Sequence, residues 1–480
     1  MKTFSSKFAV WTSYFFILLF CYAAISKVFD FENFQLQLSQ SPLTNHYSAI
    51  ISYAVIVIEL VIVWMLSSPK LRILGLHGCF TLMFFFTVYI YIILNYSDNI
   101  PCSCGGILEN LGWSEHMVFN VLCSAIALAA IVISTKARNI RLSAVILAEI
   151  LIPSILLLFS IYPVIKENQD SFVRKVKNPF TSDIKIIDLP KSSHYFAGNH
   201  GDTVFLADSK TPLLLKTIDL GFEHVKTDTL KLDDYSLKFR SVRLNVLYPH
   251  FSVTDGKVPV IYEGELPSLY AYKTALEKLY FSKLIPIGHH QYVFRAVVTK
   301  TKKSELGIVN TLDDKYEIIP DVLESDFDGI FDTDGTVSAD PENKKIFYAY
   351  LYRNKIISTD LNLSHIERFS TIDSFSDSDI KVQKLSNGQT KLEKTPQQVN
   401  THHTVWGNRI YNISKIRGKD ESFLDFSKKI VIDIYDVEKK TYLYSYNINN
   451  KNRSVVKGIL RTKKYFYVLS SDHIARYAFK

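Results

Sequence analysis

Residues 48–66 read SAIISYAVIVIELVIVWML, a run long and apolar enough to cross a lipid bilayer as a single helix. Four more segments meet the same criterion, at residues 8–25, 71–94, 115–134 and 142–164. The first of them follows Lys2 and Lys7 as a signal peptide would, but its length and the later spans favour a retained helix. The sequence therefore predicts a multi-pass membrane region in contact with lipid.

Basic residues beside the spans predict the orientation of this region. The third link, residues 95–114, has no Lys or Arg, whereas the amino terminus and the second and fourth links carry several. These basic residues are Lys2, Lys7, Lys70, Arg72, Lys136, Arg138 and Arg141. We therefore expect a bacterial inner-membrane protein with a cytoplasmic amino terminus. The third link and everything after the fifth helix are then periplasmic.

The third link contains Pro101-Cys102-Ser103-Cys104-Gly105-Gly106. A disulfide needs Cα atoms about 4.4–6.8 Å apart, so a CxC pair closes only in a tight loop, and strain eases its reduction. The spacing favours a redox pair, with a structural disulfide or two unpaired thiols as the alternatives. Two thiolates and the nearby His116 fall short of the four ligands of a structural zinc site, so we predict no metal here.

Three other polar or reactive residues lie within the spans. Cys21 and Cys123 are near the predicted outer ends of helices one and four, where they are candidate relay thiols or ordinary small core residues. Glu59 lies near the middle of helix two, and an intramembrane carboxylate is by default a functional candidate. It is a candidate proton site, or a protonated side chain bonded to a neighbouring helix.

Residues 5–134 resemble the MauE branch of the DoxX-like membrane proteins. The matching features are Ser26-Lys27-Val28-Phe29-Asp30-Phe31, the Glu59-Leu60 pair, and the Cys102-Ser103-Cys104-Gly105-Gly106 loop that runs on to Asn120. The resemblance implies a four-helix bundle that assists disulfide formation or electron transfer during maturation of a periplasmic protein. It also implies a membrane quinone as the candidate electron acceptor.

This chain departs from that family in carrying a fifth helix and a large outer domain. The resemblance therefore supports a general redox role rather than methylamine dehydrogenase as the client. We expect the MauE/DoxX-like domain at residues 1–140, the fifth helix at 141–165, a linker at 166–181 and the outer domain at 182–480.

The outer domain has no cysteine and consists of short β-type runs separated by turn residues such as Asp255-Gly256 and Asn387-Gly388. A weak repeat relates residues 335–368 to residues 405–446, and units of 40–50 residues suggest a β-propeller. We predict an all-β propeller of six or seven blades, its last unit completed by strands near 182–189, with a sandwich of β domains as the alternative. One short helix is expected around 267–279.

Motifs for chemistry are scarce in this domain. Asp332-Thr333-Asp334-Gly335 lacks the rest of a calcium-loop spacing, so it is read as a turn. The adjacent pairs His289-His290 and His402-His403 would point to opposite faces of a strand, so at most one histidine of each pair lines a channel. The net charge of +8 comes from interspersed Lys, Arg, Asp and Glu, which indicates no nucleic-acid surface.

Two functions remain open at this point. The first is thiol–disulfide exchange or electron transfer through Cys102 and Cys104, acting on a periplasmic client; enzyme status, as a thiol–disulfide oxidoreductase, is open. The second is a membrane-anchored propeller that recognises a partner, with a structural membrane domain and no redox role.

Overall fold

A computed structural model describes residues 2–41, 43–96, 112–134, 140–167, 169–276, 278–378, 380–386, 388–450 and 454–480. Its helices, apart from a one-turn 3₁₀ helix at Asn45–Tyr47, are α1 Lys2–Phe29, α2 Phe31–Gln40, α3 Ser48–Ser67, α4 Arg72–Tyr96, α5 Trp113–Ser134, α6 Ile140–Glu167 and α7 Phe423–Phe426. The described residues divide into two compact units, one of helices plus residues 380–395 and one of the remaining β-strands.

Four helices are long and apolar enough to cross a membrane, and they match the first four predicted spans. They are Lys7–Phe29, Ser48–Ser67, Arg72–Leu94 and Trp113–Ser134. The fifth predicted span falls within α6, which is 28 residues long and has a described apolar stretch at Ala144–Leu157. The chain is thus a multi-pass membrane protein by helix length and composition.

Small residues let the helices of the bundle approach closely. A Cβ on Gly75 of α4 would lie 2.9 Å from Leu66 Cδ2 of α3, and a Cβ on Gly78 would lie 3.0 Å from Ile62 Cγ1. Close backbone approach of this kind is how transmembrane helices gain packing energy without a hydrophobic driving force. His77 of α4 and Glu149 of α6 add a hydrogen bond of 2.8 Å between Nδ1 and Oε1, so α6 packs on the bundle through α4.

The strands of the second unit form six four-stranded blades, two of them extended by one short strand. Blade 1 is β3 His194–His200, β4 Thr203–Asp208, β5 Leu214–Ile218 and β6 Val225–Thr229. Blade 2 is β8 Val242–Leu247, β9 His250–Asp255, β10 Val260–Glu265 and β11 Tyr270–Lys273, with β7 Lys231–Leu232 at its edge. Blade 3 is β12 Lys283–Gly288, β13 Gln291–Val297, β14 Ser304–Asn310 and β15 Lys315–Ile319.

The remaining three blades follow the same pattern. Blade 4 is β16 Gly335–Asp340, β17 Lys345–Tyr350, β18 Lys355–Asp360 and β19 Glu367–Ser370. Blade 5 is β22 Asn400–Trp406, β23 Arg409–Ser414, β24 Lys429–Asp436 and β25 Thr441–Asn449, with β1 Val176–Lys177 at its edge. Blade 6 is β26 Val456–Arg461, β27 Tyr465–Ser470, β28 His473–Phe479 and β2 Phe180–Asp188. A separate hairpin, β20 Val382–Lys384 and β21 Thr390–Leu392, lies between blades 4 and 5 in the chain.

The ring is closed by strands from both ends of the β unit. β2 pairs antiparallel with β28, with Ile186 opposite Ala475, as predicted for the strands near 182–189. The first strands of successive blades contact one another around the ring, and β26 returns to β3. The described β unit is therefore a six-bladed β-propeller, which confirms the predicted fold class.

One expected element is wrong. The short helix predicted around 267–279 is absent from the described residues there, because Tyr270–Lys273 forms β11, the outer strand of blade 2. Aromatic side chains at Tyr270 and Tyr272 favour a half-buried strand over a helix.

The segment that leads into the propeller is held by a buried arginine. Arg174 Nε and Nη2 donate to the two carboxylate oxygens of Asp433 on β24 at 2.8 Å and 3.1 Å. Arg174 also pairs with Glu421 and donates to the carbonyl oxygen of Ile416. The start of the β unit is thus fixed to blade 5 by a paired, hydrogen-bonded charge, as burial of a guanidinium requires.

Candidate functional sites in the membrane domain and the propeller

A buried ion pair joins α1 and α3 in the helical unit. Lys27 Nζ lies 2.7 Å from Glu59 Oε1, and the two side chains are 15% and 1% exposed. The Lys27 ammonium also lies 5.7 Å from the centre of the Phe34 ring on α2, within cation–π range. Glu59 is therefore bonded to a lysine of a neighbouring helix, and its role as a proton site stays a prediction.

The surroundings of this pair are apolar. Ala24, Phe34 and Ile56 form a buried cluster there, and α2 covers it with Phe31, Phe34 and Leu38. Among the described residues, Glu59 Oε2 has no hydrogen-bond partner. An ionised pair in such surroundings is costly to break, and its free oxygen is a place where a proton can bind.

The predicted redox pair, Cys102 and Cys104, lies outside the described residues. The three described cysteines, Cys21, Cys79 and Cys123, form no disulfide with one another. Cys21 is half-buried, whereas Cys79 and Cys123 belong to the main apolar core of the bundle. The relay role of Cys21 and Cys123 stays a prediction, and Cys21 is the more accessible of the two.

The hairpin β20–β21 packs on α2, an arrangement that the sequence reasoning missed. Ser386 donates from its backbone N and its Oγ to Glu32 Oε2 at 3.0 Å and 2.8 Å. Lys391 Nζ donates to Asn33 Oδ1 at 2.8 Å, and Gln40 Nε2 donates to the carbonyl oxygen of Leu392 at 2.9 Å. The two hydrogen bonds from Ser386 hold the pKa of the Glu32 carboxyl below its usual value. No local signal in 380–395 indicates this contact, because its partners are some 350 residues away.

The Asp332-Thr333-Asp334-Gly335 motif of the propeller has a structural role. The carboxylate of Asp332 is 1% exposed and accepts hydrogen bonds from the backbone N of Asp326, Phe327 and Gly329 at 2.7 to 2.8 Å. The Asp332 oxygens thus accept hydrogen bonds from backbone groups of the turn.

His402 and His403 connect neighbouring blades. His403 lies between Thr336 Oγ1 and Ser338 Oγ of β16, at 2.8 Å and 2.7 Å. His402 is hydrogen-bonded to the backbone of Val456 on β26. Burial lowers the pKa of both imidazoles, to about 4 for His402 and about 3 for His403. They are neutral at pH 7 and hold blade 5 to blades 4 and 6.

His289 and His290 differ from their predicted arrangement. They lie in the turn between β12 and β13 rather than within a strand, so their rings do not point to opposite faces; the ring centres are 3.7 Å apart. The ring of His289 also stacks on that of His250, with 3.7 Å between centres and 8° between planes. The alternation rule failed here because it applies to extended backbone only.

These histidines line a cavity of about 430 Å³ between blades 2 and 3. His290 Nδ1 lies 2.7 Å from Glu263 Oε2, and Tyr292 Oη and Thr311 Oγ1 donate to Glu263 Oε1 at 2.6 Å and 2.8 Å. Burial, and then the neighbouring imidazoles of His250 and His290, lower the pKa of His289. The cavity thus combines aromatic walls with a small set of fixed polar groups, the usual make-up of a ligand site.

Comparison with known proteins gives one family match. Residues 5–133 match the family model "Methylamine utilisation protein MauE". No curated protein matches the chain.

Several solved structures are similar to part of this chain at low identity. A DUF4221-family member from Bacteroides vulgatus is 11% identical, with a TM-score of 0.43, over 66% of this chain and 99% of that chain. YCF48 bound to a D1 peptide is 11% identical, with a TM-score of 0.36, over 63% of this chain and 96% of that chain. A chain of a nidogen/laminin complex is 8% identical, with a TM-score of 0.34, over 54% of this chain and 80% of that chain.

The family match includes the buried pair, because Lys27 and Glu59 both lie within residues 5–133. Four spanning helices and a six-bladed β unit account for most of the described residues. The chain thus carries a MauE-family membrane domain at residues 5–133, followed by a β-propeller.

Proposed function

We propose that this protein performs thiol–disulfide exchange at the outer face of the bacterial inner membrane, using Cys102 and Cys104 on a periplasmic client. The observation that carries the proposal is the buried Lys27–Glu59 pair within the MauE-family domain. An intramembrane carboxylate paired with a cation marks a proton or substrate pathway in membrane proteins. Oxidation of thiols releases protons, so a carboxylate that can hold a proton within the same domain fits this chemistry.

The exchange step transfers the disulfide of the Cys102–Cys104 pair to the client. A client thiolate attacks one sulfur of the Cys102–Cys104 disulfide, the S–S bond breaks, and a mixed disulfide forms with release of the other thiolate. The second client thiolate then attacks the mixed disulfide, which leaves the client oxidised and the pair reduced by two electrons. A membrane quinone takes up two electrons and two protons when it is reduced to a quinol, which restores the disulfide of the pair. Glu59 is the residue of this chain that holds a proton during that return step.

The position of Glu59 supports this assignment. It is eleven residues from the amino end of α3, which begins at Ser48, or roughly 16 Å along the helix axis. Lys27 is two residues from the end of α1 at Phe29, on the side where α2 begins. The pair is therefore nearer to the α2 side of the bundle than the main core, which contains Cys79 and Cys123.

The hairpin β20–β21 supports the proposed topology. It contacts α2, which follows the first span, and it is part of the chain between blades 4 and 5. An even number of crossings must then separate α2 from the propeller, and α3, α4, α5 and α6 supply four. Together with the basic residues of the cytoplasmic links, this even number of crossings supports a periplasmic propeller and a membrane-spanning α6.

Alkylation of thiols in membranes tests the proposal. The Cys102–Cys104 pair of the wild-type protein is expected to change from oxidised to reduced under mild reductant and to reoxidise when a soluble quinone is added. Glu59→Gln is expected to slow reoxidation while leaving reduction unchanged. Cys79→Ala is the matched control, because that thiol is buried in the core of the bundle. A pair that stays oxidised throughout would contradict the proposal.

A second candidate function is recognition of a partner by the propeller, with the membrane domain as an anchor. The cavity of about 430 Å³ between blades 2 and 3 favours it. Removal of the chain after residue 165 distinguishes the two functions. A phenotype identical to that of Cys102→Ser would argue against an independent role for the propeller.

A further inference from the structure

Three side chains with metal-binding atoms meet at the turns that join blade 2 to blade 3. His250 is the first residue of β9, Glu265 is the last residue of β10, and His289 is in the turn between β12 and β13. The β8–β9, β10–β11 and β12–β13 turns all lie on the same face of the propeller, because strands alternate in direction within each blade. Two neighbouring blades therefore contribute to the cluster.

The ligand atoms of these residues are already close. His250 Nδ1 lies 3.1 Å from Glu265 Oε1, and one atom from each of the three residues falls within 4.8 Å of the other two. The His250 side chain is 28% exposed and that of Glu265 is 62% exposed, so an ion can reach them from solvent. It is the one group of this kind among the residues that the structure describes.

The set of donors selects the type of metal. Two imidazoles and one carboxylate suit zinc, whereas calcium and magnesium prefer oxygen ligands only. Three protein ligands leave a fourth position of a tetrahedral ion open, as in zinc sites that bind an outside ligand. The three residues line the same cavity as Phe251, Tyr270, Tyr272 and Tyr292, so a fourth ligand would reach the ion from there.

A hydrogen-bonded network fixes the turn that carries His289. His290 has a φ of 61°, in the left-handed region that tight hairpin turns use. Glu263 holds the His290 imidazole at 2.7 Å and is itself held by Tyr292 and Thr311. The His290 ring in turn packs on the His289 ring. The Glu263 network thus fixes the hairpin turn next to the proposed ligand, and it reaches His289 only through the packed His290 ring.

We propose that His250, Glu265 and His289 bind one zinc ion whose open position faces the aromatic cavity between blades 2 and 3. The site goes beyond the proposed thiol chemistry, since it uses no cysteine and lies in the propeller. It gives the propeller a place where a client group with a carboxylate or imidazole donor binds directly to the metal.

Zinc titration of the purified full-length protein in detergent tests the site. Calorimetry and metal analysis are expected to give one bound zinc per chain, both in the wild-type protein and in the Cys102→Ser/Cys104→Ser double variant. His250→Ala and His289→Ala are each expected to weaken binding by more than the roughly 10–100-fold that loss of an outer-shell partner costs. Glu263→Gln, which acts on His289 only through the His290 ring, is expected to weaken binding less than either histidine variant.

His365→Ala is the matched control, because His365 is an exposed histidine 2.9 Å from a carboxylate oxygen of Asp360 on another blade. The zinc affinity of the His365→Ala variant should equal that of the wild-type protein. The far-ultraviolet spectrum and melting temperature of each variant without zinc establish that it is folded, and Glu265→Gln provides a conservative third ligand variant. Absence of a one-to-one zinc complex, loss of it in the double cysteine variant, or equal affinities in the folded ligand variants and the wild-type protein would overturn the proposal.

Discussion

At the scale of single residues, the ion pair of Lys27 and Glu59 shows what sequence patterns detect and what they miss. Glu59 is conspicuous because it interrupts an apolar run, and the sequence predicts its importance. Lys27 is inconspicuous because a lysine near the end of a span is expected to reach the interface. The pairing depends on how α1 and α3 pack, and the two residues are 32 positions apart in the chain.

Removal of one member of this pair should be more harmful than removal of both. Glu59→Met or Lys27→Met is expected to destabilise the membrane domain by about 3–5 kcal/mol, because each leaves an unpaired buried group. The double variant Lys27→Met/Glu59→Met is expected to be nearer the wild-type stability, because apolar side chains of similar volume replace the pair. Thermal unfolding of the full-length protein in detergent measures the cycle. Additive losses in the double variant would show that the two side chains do not interact.

A second residue-scale prediction concerns the propeller at different pH values. Asp373 is buried, and burial raises the pKa of its carboxyl to about 6. The folded protein then keeps a proton that the unfolded chain has released, so stability falls as pH rises from about 4 to about 6 and stays low above that. Asp373→Asn is expected to remove this fall and to stabilise the propeller at pH 8 by about 2–3 kcal/mol.

The melting temperature of the propeller between pH 4 and pH 8 checks this prediction. Asp377→Asn is the control, since Asp377 is exposed and lies in the same loop. If the two variants have the same pH profile as the wild-type protein, the carboxyl of Asp373 does not carry this effect.

At the scale of elements, the hairpin β20–β21 is the feature that the sequence predicts least well. Its residues are polar and turn-rich, so they resemble any surface loop, and only the folded chain shows that they pack on α2. The spanning helices are the opposite case, because each is a long apolar run whose meaning does not depend on its neighbours. The propeller strands are also readable locally, but the number of blades is not. Blades 5 and 6 are completed by β1 and β2, which come from more than 200 residues upstream.

The contact between the hairpin and α2 should be sensitive to Glu32. The Ser386 amide donates to Glu32 Oε2 at 3.0 Å, so its exchange with solvent deuterium should be slow. Glu32→Gln is expected to accelerate exchange several-fold in a peptide covering 380–395, because a neutral amide accepts more weakly than a carboxylate. Exchange in β24 of blade 5 serves as the internal control and should not change. Equal exchange rates in the hairpin of both proteins would argue against the contact.

At the scale of the whole molecule, the chain joins a MauE-family membrane domain to a six-bladed propeller. The sequence predicts both parts, because apolar length and short β-type runs are local properties, and the thiol chemistry inferred from the CxC spacing stays a proposal. It does not predict the cluster of His250, Glu265 and His289, because that cluster forms only when neighbouring blades bring three turns together. We propose exchange chemistry at Cys102 and Cys104 and partner binding on the propeller.

Capture of a mixed disulfide tests directly whether Cys102 and Cys104 perform thiol–disulfide exchange. Membranes that contain full-length Cys104→Ser, acid-quenched and alkylated, are expected to show an adduct of higher mass that reductant removes and that contains a periplasmic protein. The Cys102→Ser/Cys104→Ser double variant should show no adduct, and Cys79→Ala should behave like the wild-type protein. If neither Cys104→Ser nor Cys102→Ser yields an adduct, and the wild-type pair stays oxidised under mild reductant, thiol–disulfide exchange is not the function of this protein.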